Sequence, residues 1–193
     1  EDGSYTFKEA DFGFSDVDGD SLAAVKFTTL PSNGVLKLGT TTITAGTEVS
    51  AANINTLTFT PAANANGNNY GNFTFQVRDN GGVLNSGADL DSSANTLTIN
   101  VTAVNDAPSI SGLSSLSYTE NAAATVIDAA ITISDVDSTN LTGATVTISS
   151  GLTAGDILGF TNANGITGSY SSTTGTLTLT GTATLAQYDT AQQ

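Results

Sequence analysis

Apolar residues recur at every second position in short runs along most of this chain. The runs AAVKFTTL (23–30), GVLKLG (34–39), NTLTFTP (55–61), NFTFQVRD (72–79) and NTLTINVTAVN (95–105) alternate aliphatic or Phe side chains with Thr, Asn and Lys. A period of two turns one face of each run toward a core and the other toward water, which predicts half-buried strands. PSNG, NANGNNYGN and DNGG lie between the runs and have the composition of turns. Helical spacing is confined to LAQYDTAQ at 185–192. Short strands separated this regularly predict an all-β, antiparallel sandwich architecture.

The order restarts after residue 108 with SLSYTE (115–120), ATVIDAAITISD (124–135), TGATVTISS (142–150), DILGFT (156–161) and GTLTLTG (175–181). The interval from Glu1 to Asp16 equals that from Glu120 to Asp135, and both intervals end in a DVD triplet. Equal spacing in unlike surroundings points to a repeat. Two modules follow, 1–106 and 107–193, joined at Asn105 to Pro108 with almost no loop. The second has no counterpart of runs 72–79 and 95–105, so it reads as truncated at its C-terminus and predicts an exposed sheet edge near 175–181. The opening EDGSYTF is neither basic nor apolar, and the chain reads as a piece of a longer polypeptide.

Charge narrows the function. Asp and Glu number 18 against 4 Lys and Arg, a formal net charge of −14, and all four cations precede residue 79. Such a chain has no electrostatic footprint for phosphate backbones or acidic membranes, so no nucleic-acid partner and no membrane insertion are expected. His and Cys are absent, which removes the usual catalytic bases and nucleophiles, and no enzyme is expected. Without Cys there are no disulfides either, so an extracellular fold would need another stiffener. Surplus carboxylates suggest calcium, which takes oxygen ligands. Asp16, Asp18 and Asp20 stand at alternate positions, but not in an EF-hand, whose sixth and twelfth positions would here be Ser21 and Phe27. The plainer reading is that Asp in such loops caps its own backbone. Asp89, Asp91, Asp128 and Asp156 read as surface charge, and Tyr70, Phe73 and Phe75 as core.

The run VRDNGG…NTLTINVTAVNDAP resembles the end of a cadherin repeat and its junction. With the ED and DVDGD motifs upstream, the order is still more similar to the cadherin-like tandem repeats of giant bacterial surface proteins of the RTX-adhesin kind. YTEN, ISDVDS and GTLTLTGTATLAQY resemble a related repeat of the same proteins. The resemblance implies two tandem antiparallel Greek-key (cadherin/Ig-like) β-sandwich modules end to end, in a secreted protein at a bacterial cell surface. It implies Ca2+ held by Glu1, Asn105, Asp106, Asp135 and Asp137 between the modules. Asp16, Asp18 and Asp79 would form a site at the N-terminal end, and Glu120 would serve the next junction. Ala103 and Ala107 replace acidic and amide positions of the animal cadherin junction, which implies one ion per joint rather than three. The expected role is a structural extender or adhesion module of a matrix- or biofilm-forming protein, with neighbouring repeats or subunits as partners. The alternatives are a module that binds glycans or surface proteins, and a filament subunit assembling by β-strand donation.

Overall fold

The structure is a computed structural model that describes residues 1–119 and 122–192. It is an all-β fold of antiparallel sheets, with two compact units, Glu1–Val104 and Asn105–Gln193.

The first unit is a sandwich. Its strands are β1 (Tyr5–Thr6), β2 (Leu22–Phe27), β3 (Val35–Leu38), β4 (Thr41–Thr42), β5 (Glu48–Ser50), β6 (Leu57–Thr60), β7 (Gly67–Asp79) and β8 (Asn95–Val101). One sheet runs β1-β6-β3-β4 and the other β5-β2-β7-β8. Period-two alternation sets the register: Phe27 faces Phe75 across β2 and β7, Val25 faces Val77, and Leu36 faces Phe59 across β3 and β6. The inward side chains of both sheets meet in one core of Phe7, Phe12, Val25, Phe27, Leu36, Val49, Leu57, Phe59, Phe73 and Phe75. Phe12 meets Phe75 edge-on at 5.1 Å between ring centres, and Phe7 meets Phe73 at 5.9 Å, geometries that favour the ring quadrupoles. Phe73 and Phe75 are core as expected, with Tyr70 packed at its margin.

The second unit is thinner. Its strands are β9 (Ser109–Ser111), β10 (Thr132–Ser134), β11 (Asn140–Thr147), β12 (Thr167–Ser171) and β13 (Thr176–Thr184), followed by α1 (Leu185–Gln192). A β9–β10 ribbon accompanies a three-stranded sheet ordered β11-β13-β12. Ile133, Ile166, Leu177, Leu179, Ala183 and Tyr188 form its core. The helix expected at 185–192 is present because its start is capped reciprocally. Gln187 N–H donates to Thr184 Oγ1 at 3.3 Å, and Gln187 Oε1 accepts from Thr184 N–H at 2.9 Å. Buried Tyr188 then donates its hydroxyl to the Gly181 carbonyl at 2.6 Å, and Asp189 accepts the Ile133 N–H on β10 at 2.6 Å.

Several expectations need correction. Residues 156–161 form no strand, and neither do 115–119, although Leu116 and Tyr118 keep the alternating pattern. Of the run 124–135, only Thr132–Ser134 is strand. The segment 175–181 is no edge, since β13 is paired on both sides and lies at the centre of its sheet. Asp128 is not surface charge. It is 6% exposed, and it accepts the backbone N–H of Ala130 at 2.9 Å and that of Ser114 at 2.5 Å. It thereby clamps the two ends of the long connection between β9 and β10. Gly112 begins that connection with φ +76°, and a Cβ there would run into the Ala130 carbonyl.

The Ala130 and Ser114 N–H groups hold the Asp128 carboxyl below its ordinary range against the opposing effect of burial. A depressed folded pKa stabilises above the unfolded value of about 3.9, and the contribution disappears as pH falls through the folded value. Asp128→Asn should therefore melt earlier than wild type at neutral pH, and the two should converge below about pH 4. Thermal melts across pH check this; a constant difference at all pH values would contradict it. Leu179→Ala should cost about 2–5 kcal/mol in denaturant unfolding, because it empties the centre of the smaller core.

Candidate metal centre

A similar turn occurs in each unit, opened by an aspartate that accepts the N–H two residues ahead and one further N–H. In the first, Asp16 Oδ1 accepts the N–H of Asp18 at 2.8 Å and of Asp20 at 3.0 Å, just before β2. In the second, Asp135 Oδ1 accepts the N–H of Asp137 at 3.1 Å and of Ser138 at 2.8 Å, just before β11. In both, Oδ1 of the first aspartate holds the loop, and in the second the Asp135 carboxyl also meets the Asp137 side chain. The arrangement serves both readings of these loops: a self-capped turn, and a turn that presents carboxylates to a cation.

In the first unit the sequence-predicted residues Asp16, Asp18 and Asp79 gather at one end. Asp79 Oδ1 accepts the Gly81 N–H at 2.7 Å, and Asn80 Oδ1 accepts the Ser21 N–H at 2.9 Å, which ties the end of β7 to the acidic loop. A Cβ on Gly81 would press on the Asp20 carboxylate, which would have to shift. Asp20 is the member that the motif reading left out of its ligand set. Its carboxyl is pushed up, first by desolvation and then by the charges of Asp16, Asp79 and Asp18. Beside the cluster a cleft of about 570 Å³ is lined by Asp11, Asp16, Asp79 and Asp91 over Phe12 and Phe75, with no Lys or Arg.

In the second unit Asp106, Asp135 and Asp137 are joined by hydrogen bonds. Asp137 Oδ2 accepts the Asp106 N–H at 3.1 Å, and the Asn105 amide donates to the Asp106 carbonyl at 2.7 Å. The Ser138 N–H, chiefly, holds the Asp135 carboxyl below its ordinary range, so it is anionic at neutral pH. Glu1, in the first unit, accepts from the Asn66 amide at 2.8 Å and from the Val104 N–H at 2.8 Å, and these bonds lower its pKa in that order. Glu120 lies outside the described residues. All these donors are oxygens, a hard set that suits calcium and not the nitrogen and sulfur preference of zinc.

Four of the remaining acids have partners elsewhere. Asp89 and Glu48 both pair with Arg78 at 2.8 Å. Asp91 accepts from Ser93 and Asn95, and Asp156 from Thr153 N–H at 2.8 Å. Comparison with protein families, characterised proteins and solved structures finds no match.

The pressure on Asp20 is measurable. Its carboxyl should titrate above an ordinary Asp, and Asp79→Asn should move it back down by removing one of three neighbouring charges. Side-chain carboxyl NMR across pH reads this directly. An unshifted Asp20 in the variant would mean that its neighbours do not act on it.

Proposed function

We propose that this chain is a calcium-stiffened extender: two tandem Greek-key sandwich modules of a secreted bacterial surface protein, whose role is to hold an adhesive or matrix-forming polymer straight. The observation that carries this reading is the similar acidic turn before β2 and β11, in which an aspartate Oδ1 holds the backbone and further carboxylates stand close by. A loop built only to cap itself needs one carboxylate. Here the turn of the first unit keeps Asp18, Asp20 and Asp79 beside Asp16, with the electrostatic cost visible at Asp20. Divalent cation would relieve that cost.

The linker acids extend the reading. Asp137 engages the Asp106 N–H in the second unit, and Glu1 engages the Val104 N–H in the first, so acidic side chains grip the backbone on either side of Asn105. Calcium takes 6 to 8 oxygens and tolerates irregular geometry, so carboxylates, the Asn105 side chain, carbonyls and water would complete a shell. Magnesium, which demands tight octahedral geometry, would substitute poorly.

Calcium calorimetry tests the proposal. Asp106→Ala and Asp135→Ala should each weaken binding about tenfold or more, the equivalent of 1.4 kcal/mol. The double variant should add little to either, because ligands of one ion are coupled. Glu9→Ala, an exposed acid outside every motif, is the equal-charge control. If it weakens binding as much, the effect is bulk charge and the loops are only turns.

A further inference from the structure

Edge strands expose unpaired backbone donors and acceptors, and most edges here are blunted. β1 and β4 have two residues each, and β5 has three, one of them Glu48. On the outer side of β12, Asn162 Oδ1 accepts the Gly168 N–H at 2.9 Å, and Phe160 lies against Gly168. β10 is met by Asp189 through the Ile133 N–H. β8 residues share a groove with Glu1, Gly3, Ser4 and Tyr5, and Asp11 also lines it. β11 differs from all of these.

β11 has eight residues, pairs only with β13 among the described residues, and runs in regular register from Gly143↔Thr180 to Thr147↔Thr176. Its sequence, NLTGATVT, has no charge and no Pro, two of the features that protect an edge, and the bulge between Leu141 and Gly143 leaves 143–147 regular. Along it Leu141, Ala144 and Val146 are only partly buried at the margin of the core. In the first unit the strand that follows the acidic turn is β2, and it is paired on both sides, with β5 and with β7. β11 follows the equivalent turn and lacks the second neighbour.

We propose that the outer edge of β11 is a self-association edge, where a second copy adds its own β11 antiparallel and joins two three-stranded sheets into one. Charge selects this occupant. A chain at −14 repels its own copies over most of its surface. Residues 139–155 and 157–188, which supply the whole of this sheet, contain no charged side chain. Two copies meeting at β11 therefore place no like charges opposite each other, and the two-fold arrangement satisfies both edges at once. The inference goes beyond the calcium reading and does not depend on it.

Sedimentation of the full chain in chelator, over a dilution series, tests it. The mass should rise toward twice the 19.4 kDa of one chain, and the amides of 144–147 should gain exchange protection with concentration. The double variant Thr145→Glu, Thr147→Glu should remain at one chain mass, because it sets four carboxylates across the new ladder. Ser169→Glu on β12 and Thr98→Glu on β8 should dimerise like wild type. Wild type that stays monomeric, a double variant that still dimerises, or loss of dimer in either control would each overturn the proposal. Concentration-independent exchange at 144–147 would do the same without any variant.

Discussion

With 18 acids and 4 bases, this chain cannot neutralise its carboxylates with side-chain cations. Arg78 takes two of them, and most of the others described here turn to backbone N–H groups. Asp11, Asp16, Asp79, Asp91, Asp128, Asp135, Asp156 and Asp189 each accept at least one. A charged acceptor makes a stronger bond than a neutral one, and each such bond satisfies a donor that a loop would otherwise leave to water. The excess of acid is thus also the device that folds the loops. It starts β2 and β11, clamps the β9–β10 connection and seats α1 on β10.

The two units solve the same problem with different materials. Phe7, Phe12, Phe14, Phe27, Phe59, Phe73 and Phe75 all lie in the first, which leaves Phe160 for the second. Large rings let two four-stranded sheets enclose a continuous core. The second unit has aliphatic residues and Thr instead, and it relies on a capped helix to bring Tyr188 under its sheet. Its smaller core covers less, so β11 and the extended segment around Leu116 and Tyr118 keep apolar side chains partly exposed.

The strands of the first unit were legible because alternation there coincides with burial. In β2, β6 and β7 the Phe residues, Val25 and Leu57 are buried, and the Thr, Asn, Gln and Lys positions between them are not. In the second unit the same period misleads. Residues 115–119 alternate correctly but find no partner strand, and alternation without a partner does not make a sheet. The centrality of β13 was hidden for a related reason: nothing in TLTLTGTAT distinguishes a strand paired once from one paired twice. The acidic turns were found by spacing, because the aspartate that opens each accepts the N–H of the aspartate two residues on. Asp128 was misjudged because its environment is made by a distant residue, Ser114, and the pressure on Asp20 was hidden because Asp79 delivers part of it from another strand.

The turns also bear on how a cation would act. In each, Asp16 or Asp135 spends one oxygen on the backbone, so the loop is already folded before any ion arrives. Binding to such a loop would not have to order it, and the conformational entropy that penalises binding to a flexible acidic segment is largely spent in folding. What remains opposed to ion-free folding is repulsion, and it falls unevenly. Asp135 is held in its charged form by N–H donors, whereas Asp20 has three acidic neighbours acting against its charge. An ion at the first unit's turn would therefore relieve strain already present, and one at the second would be met by carboxylates already arranged to stay anionic. One loop design thus gives two electrostatic settings, decided by how many carboxylates the surrounding strands deliver to it.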